Sequence, residues 1–196
     1  MKKSTIILAS VVGFLVVVGL WFVSTMNSFV QKEEAIKSAW SQVENVYQRR
    51  ADLIPNLVNT VKGYAKHEGE TLEKVVQARS AAVSGGGAGV PADTAALKKF
   101  QSSQDQLSGA IGRLMVIVEK YPDLKADQGF RDLQSQLEGT ENRIAVERRR
   151  FSEMVQEFNT AIRMFPGSFI ASMKGLQPKA YFEAQAGAAT APKVEF

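Results

Sequence analysis

The sequence predicts an all-α protein in which an N-terminal transmembrane helix is followed by an antiparallel bundle of three to four long helices. The chain begins with an uncharged apolar run long enough to cross a bilayer. Beyond it, apolar residues recur at alternating spacings of three and four, which is typical of helices in a bundle. No alternating strand pattern is found. We therefore expect an anchor over residues 1–30, a bundle over 31–183 and a flexible tail over 184–196.

The apolar run extends from Ile6 to Val23 and follows Lys2 and Lys3. As a helix rising about 1.5 Å per residue, it covers most of a hydrocarbon core of about 30 Å. No helix breaker lies between Val23 and Ile36, so the membrane helix is expected to continue directly into the bundle. The residues predicted to span the membrane are Ile6, Ile7, Leu8, Val11, Val12, Phe14, Leu15, Val16, Val17, Val18, Leu20, Trp21, Phe22 and Val23.

A cleaved signal peptide is the alternative interpretation of this run. The run is longer than the usual signal-peptide core, and residues 24–28 contain no Ala-x-Ala site, which favours an uncleaved anchor. Lys2 and Lys3 lie on the N-terminal side of the run, whereas Lys32 and Lys37 lie further away on its other side, and the positive-inside rule compares the two sides. It favours a cytoplasmic N-terminus and an exported bundle.

The first bundle segment covers residues 31–82. Pro55 lies inside it, lacks a backbone N–H, and is expected to kink or interrupt the helix. Arg50 places a charge on an otherwise apolar stripe. That stripe consists of Ile36, Trp40, Val43, Tyr47, Arg50, Ile54, Leu57, Val61 and Tyr64.

A Gly-rich loop over residues 84–91 precedes the next helix, which Asp93 or Thr94 is expected to cap. Pro122 ends this helix, since the residue before a proline avoids the helical region. Its stripe is Leu97, Phe100, Gln104, Leu107, Ile111, Leu114, Val118 and Tyr121.

The last long helix is predicted to start at Asp127 and to stop at Phe165-Pro166-Gly167, before a short amphipathic segment over residues 168–176. Its apolar side is formed by Phe130, Leu133, Leu137, Thr140, Ile144, Phe151, Val155, Phe158 and Ile162.

Composition excludes several classes of function. The chain has no cysteine, which excludes disulfides, thiolate metal sites, thiol nucleophiles and a lipoprotein anchor. Its net charge of +4 is mild beside the dense basic surface of a nucleic-acid-binding protein, so no nucleic-acid partner is expected.

Several short motifs resemble the LemA family of bacterial membrane proteins. They are RRADLIPNLV at 49–58, KGYAKHE at 62–68, EKYPDLK at 119–125, LQSQLEGTENRIA at 133–145, FNTAIRMFP at 158–166 and YFE at 181–183. The family's usual aromatic–Asn pair is Phe151-Ser152 here. The resemblance implies a bundle behind one helix in the bacterial inner membrane. It implies little about activity, although one branch acts in magnetosome membrane formation, so membrane organisation is expected by analogy.

His67 is the one residue that suggests catalysis or metal binding, because Glu68, Glu70 and Glu73 lie nearby. A di-iron bundle needs two Glu-x-x-His pairs, whereas Tyr64 stands three residues before His67 and there is no second histidine. We therefore expect a surface or capping role for His67. No catalytic residue, metal or cofactor is predicted, and an enzyme or metal-binding protein remains the alternative.

A polar cluster near Pro55 is the candidate structural or partner-binding site, with Arg50 and Glu141 predicted to pair inside the bundle. A ligand sensor near Pro55 is a further alternative. The basic group of Arg143, Arg148, Arg149 and Arg150 is interpreted as a solvated face or as a contact for acidic lipids. The polar cluster comprises Arg49, Arg50, Asp52, Asn56, Glu141, Asn142 and Arg143.

The favoured function is a non-enzymatic, membrane-anchored scaffold or adaptor in membrane organisation or envelope quality control. Its expected partners are the lipid bilayer and either a second copy of the chain or another membrane protein. In the tail, Val194 and Phe196 have the spacing that strand-adding peptide-binding modules recognise, so such a module is a further expected partner.

Overall fold

The computed structural model describes residues 3–85 and 89–183, which form six helices and no strand. The all-α class is therefore confirmed. The tail residues Val194 and Phe196 lie outside the described residues, and their role stays a prediction. The helices are α1 (Lys3–Tyr64), α2 (Gly69–Ser84), α3 (Thr94–Val118), α4 (Pro122–Ala126), α5 (Gln128–Arg163) and α6 (Gly167–Lys174).

Helix α1 is continuous over 62 residues, which corresponds to about 93 Å. Its N-terminal part contains an 18-residue window of mean hydropathy 2.8, no part of which is buried in the protein. From Phe29 onward the same helix is embedded in the bundle. The predicted continuity of the apolar helix with the first bundle helix is confirmed.

The predicted interruption at Pro55 is wrong, although a bend there remains a prediction. Helix α1 passes through Pro55 and ends at Tyr64, and the chain reverses over residues 65–68 before α2 begins. Pro55 cannot donate to the carbonyl of Ala51, one turn earlier. The Nε–H of Arg79 on α2 donates to that oxygen instead. A neighbouring helix thus supplies the hydrogen bond that the proline removes.

The helices are arranged up and down. Lys32 pairs with Glu157, and the Tyr64 hydroxyl donates to Asp127, so α1 and α5 run antiparallel along the bundle. Helix α2 folds back along α1 and packs on α3, and α4 connects α3 to α5. Within the described residues, α3 and α5 approach each other at fewer places than α1 and α5 or α2 and α3 do.

Aspartates cap the two later long helices. The Asp93 carboxylate accepts from the N–H of Ala96 at 2.7 Å, and the Asp127 carboxylate accepts from the N–H of Phe130 at 2.8 Å. Each satisfies a backbone donor that the first turn leaves free. Both predicted helix starts are thus confirmed. Helix α6 ends at Lys174, and the residue that follows, Gly175, has a φ of 66°, which favours glycine.

The interior divides into two apolar cores. The proximal core, nearer the apolar end of α1, is built around Trp40, whose ring lies 5.2 Å from Phe100 and 5.3 Å from Phe151. The far core contains Ile54, Leu57, Leu107, Leu114 and Phe130, among others. The predicted stripes supply most of both cores. Tyr64 is the exception on α1, because its side chain is exposed.

Candidate functional site: a buried arginine layer, an open cleft and a C-terminal strap

A polar layer separates the two cores. It contains Arg50 from α1, Gln104 from α3 and Thr140 from α5, all buried and all taken from the apolar stripe of their helix. Arg50 is only 2% exposed. A guanidinium removed from water to this extent needs several acceptors, because an unpaired buried charge is very costly.

The guanidinium of Arg50 binds two other helices. Its Nη1 donates to Glu141 Oε2 at 2.9 Å and to Ser108 Oγ at 2.8 Å. Its Nη2 donates to Gln104 Oε1 at 2.7 Å and to the Gln104 carbonyl at 3.2 Å. The Gln104 amide in turn donates to the carbonyl of Ala82 on α2. The predicted Arg50–Glu141 pair is present, and the Arg50 layer connects all four long helices.

The other members of the predicted polar cluster are outside this layer. The side chains of Arg49, Asp52, Asn56, Asn142 and Arg143 are exposed, so any role for them in binding a partner stays a prediction. The sequence analysis missed Ser108 as a ligand of Arg50. Gln104 was identifiable, because it is the one polar residue on the stripe of α3.

Beside the layer, α3 and α5 enclose an open cleft of about 400 Å³. Its apolar surface comes from Ile111, Met115 and Leu137, and the carboxylates of Glu138 and Glu141 stand at its edge. The side chain of Glu141 is 53% exposed, so one oxygen binds Arg50 while the group still faces solvent. The cleft therefore combines an apolar surface with two carboxylates, one of which is paired with Arg50.

Toward the proximal core the gap between α3 and α5 is closed by residues 176–183, here called the strap. Asn159 on α5 binds both backbone groups of Lys179, donating to its carbonyl at 2.9 Å and accepting from its N–H at 2.8 Å. Gln101 on α3 binds the backbone of Glu183 in the same way, donating to its carbonyl at 2.9 Å and accepting from its N–H at 3.3 Å. Two side-chain amides thus hold an extended segment as a neighbouring strand would.

The strap also contributes to the proximal core. The ring of Phe182 stacks on Trp40 with centroids 6.0 Å apart and meets Phe151 edge-on at 5.6 Å. The guanidinium of Arg148 lies 4.6 Å from the centre of the Phe182 ring and donates to the carbonyl of Glu183. Arg148 is therefore occupied by the strap and is not simply part of a solvated face.

Two tyrosine–carboxylate hydrogen bonds join the helix connections at the far end. Tyr64 donates to Asp127 at 3.1 Å, and this bond, reinforced by the charge of Asp127, raises the pKa of Tyr64. Tyr121 donates to Glu68 at 3.2 Å. Burial and the bond to Glu68 raise the pKa of Tyr121. The KGYAKHE and EKYPDLK motifs therefore meet in space.

His67 is exposed in the turn between α1 and α2. Two of the carboxylates that suggested a metal are occupied elsewhere, since Glu68 accepts from Tyr121 and Glu70 pairs with Lys74. Over residues 3–85 and 89–183, no group of three or more His, Asp or Glu side chains is placed to hold a metal ion. The geometry gives no support to a site centred on His67.

The long exposed apolar helix and the bundle behind it define a helical-bundle protein of the membrane-associated class. The family model of LemA matches residues 39–196, and the chain belongs to the LemA family. It is 27% identical to magnetosome protein MamQ of Magnetospirillum gryphiswaldense over 182 residues, 82% of this chain and 67% of that protein. Over 174 residues it is 25% identical to protein LemA of Metamycoplasma hominis, 87% of this chain and 76% of that protein.

Proposed function

We propose that the chain is a membrane-anchored scaffold whose helix α1 crosses the bacterial inner membrane once and whose bundle engages a second copy or another membrane protein. The observation that carries this proposal is the continuity of α1 from an exposed apolar run into a buried core. A helix without a break transmits the position and orientation of its membrane segment to everything packed against it.

Support for the anchor comes from the residues between Ile6 and Val23. Large apolar side chains throughout this run are exposed, among them Phe14 and Leu20 at 67% each. Such a surface is not stable in water, and a bilayer covers it. Trp21 lies near its far end, where an aromatic ring prefers the interface. An uncleaved span with a cytoplasmic N-terminus then places the bundle outside the cytoplasm.

Support for partner engagement comes from the cleft between α3 and α5. Its apolar floor and acidic edge match a partner segment with apolar and basic residues. The Arg50 layer joins both walls, so the cleft does not depend on a partner for its shape. That three relatives are named magnetosome proteins supports membrane organisation as the setting.

The anchor is tested by the intact mass of protein extracted from membranes and by protease protection in sealed vesicles. A full-length mass and a bundle accessible only from the exported side are expected. A mass lacking the first two dozen or so residues would contradict the uncleaved anchor. A bundle that the protease reaches only from the cytoplasmic side would contradict the orientation.

Partner engagement is tested by photo-crosslinking in intact cells from a benzoylphenylalanine at Gly112, which lines the cleft. The matched control carries the same group at Gln106, an exposed position elsewhere on α3. Adducts are expected from position 112, and an added Glu138→Lys substitution should reduce them. An adduct of twice the chain mass identifies self-association, and another mass identifies a different protein. Equal adduct formation at both positions would contradict the cleft as the partner surface.

A further inference from the structure

Four large apolar side chains are exposed together where α5 turns into α6. The exposed fractions are 62% for Met164, 87% for Phe165, 68% for Phe169 and 65% for Met173. The other large apolar side chains exposed on the described bundle are valines and tyrosines spread over several helices and the strap. Because α6 buries Ile170 and Ala171 against the core, these four side chains form the outer face of an amphipathic turn.

This turn lies beside the point where α1 leaves its apolar run. Gly167, the first residue of α6, is packed so closely on α1 that an added Cβ would lie 3.3 Å from Cζ of Phe29. Phe29 follows Val23 by six residues, or about 9 Å along a helix. Phe22 and Met26 also pack on the proximal core. When Val23 is at the edge of the hydrocarbon core, α6 is therefore at the depth of the headgroups.

Basic residues flank the apolar group. Arg163 precedes it and Lys174 follows it, both exposed, and neither forms an ion pair within the described residues. Long basic side chains at this depth extend their charge toward phosphate while their stems stay on apolar surface. The other basic group is less suited to lipid, because Arg150 lies 13 residues before the end of α5, about 20 Å away.

We infer that the α5–α6 turn is a second membrane contact. Phe165, Phe169 and Met173 enter the interfacial region of the bilayer that α1 spans, and Arg163 and Lys174 bind phosphates of anionic lipids. This inference rests on the proposed anchoring. The occupant is lipid because lipid surrounds this position whenever α1 is inserted, whereas a protein partner would have to displace it. Attachment at two points fixes the tilt of the bundle over the membrane.

The absence of native cysteine allows a direct test with the full-length chain. Single cysteines at Phe169, at Leu15 in the apolar run and at Val116 on α3, which is 69% exposed and belongs to the far end, are labelled with the dye NBD. The labelled proteins are reconstituted in nanodiscs of phosphatidylcholine and phosphatidylglycerol with a nitroxide in the headgroup or deep in the acyl chain. Dye at position 169 should emit at shorter wavelength than at 116. The headgroup nitroxide should quench the dye at position 169 several-fold more strongly than the dye at position 116.

The outcomes separate the two proposals. Deep quenching at position 15 with a water-like dye at 169 would overturn the second contact and leave the anchor intact. No deep quenching at position 15 would overturn the anchor. A blue-shifted dye at 169 that neither nitroxide quenches would show that protein covers the turn. Phosphatidylglycerol should strengthen quenching at 169, and adding Arg163→Gln and Lys174→Gln should remove that increase. An unchanged increase would overturn the assignment to phosphates.

Discussion

The Nε atom of Arg79 lies 2.7 Å from the carbonyl oxygen of Ala51, to which Pro55 cannot donate a hydrogen bond. In an uninterrupted helix the N–H of residue 55 would donate to it. Because the guanidinium of α2 takes over this role, α1 tolerates a proline in its interior and α2 acquires a fixed position on α1. The hydrogen bond carries a charge, which makes it stronger than the backbone bond it replaces.

Arg79→Ala should lower the free energy of unfolding by about 1.5–3 kcal/mol, the range for a hydrogen bond to a charged group. In a Pro55→Ala background the loss should be smaller, because the N–H of residue 55 can then donate to Ala51. Denaturant unfolding of the native chain, the two single variants and the double variant gives the coupling energy between Arg79 and Pro55. Equal losses in both backgrounds would show that Arg79 does not compensate for Pro55.

The Arg50–Glu141 pair should be strongly asymmetric in its response to mutation. Arg50→Ala leaves Gln104, Ser108 and Glu141 without their donor and should cost about 3–5 kcal/mol. Glu141→Gln should cost about 1 kcal/mol or less, because Glu141 is half exposed and Arg50 keeps its other acceptors. Urea unfolding measures both. A loss below about 1 kcal/mol for Arg50→Ala would contradict a structural role for the Arg50 layer.

Asn159→Ala should release the strap, because it removes both hydrogen bonds to the backbone of Lys179. At about 1 kcal/mol for each bond, the open form should become roughly tenfold more populated or more. Limited trypsin digestion should then cleave after Lys179 faster by a similar factor. The matched control is Gln106→Ala, which removes an exposed side-chain amide on α3. If both variants are cleaved at the rate of the native chain, the amide of Asn159 does not hold the strap.

Stability should decline at alkaline pH. Hydrogen bonding to Asp127 raises the pKa of Tyr64, and burial raises the pKa values of Tyr121 and Tyr47. A tyrosine whose pKa is higher in the folded chain stabilises the fold fully below its ordinary value near 10, and this contribution is lost as pH rises through the folded pKa. The midpoint of urea unfolding should therefore fall above about pH 10.

A variant tests the cause of the shift at Tyr64. Asp127→Asn removes the charge that opposes ionisation and should bring the pKa of Tyr64 back toward its ordinary value. Absorbance at 295 nm, compared with the same titration of Tyr64→Phe, isolates this group. If Asp127→Asn leaves the titration of Tyr64 where it was, the charge of Asp127 does not control the pKa of Tyr64.

Much of the fold was predictable because helical spacing determines which residues share a face. The stripes around Trp40, Leu107 and Phe158 are buried as their spacing predicts. The pairing of Arg50 followed from the same reasoning, since a charge on an apolar stripe must find an acceptor. Gln104 and Thr140 are polar residues on the other two stripes, both are buried, and Gln104 binds Arg50 directly.

Other features depend on contacts that no local pattern records. The interruption predicted at Pro55 was wrong because its compensation comes from Arg79, 24 residues further along the chain. The strap has no periodicity, and its position depends on Asn159 and Gln101, which become its partners only when the bundle is assembled. The cleft between α3 and α5 likewise needs side chains from both helices and Arg50 of α1 to come together, which no single stripe predicts.

The continuity of α1 also fixes a rotational phase. An α-helix turns by about 100° for each residue, so each side of the apolar segment has a fixed angle about the helix axis relative to the cleft. Any neighbour that turns the segment about its axis turns the cleft by the same angle. With α1 inserted as proposed above, contacts made inside the bilayer would set the direction in which the bundle faces along the membrane plane.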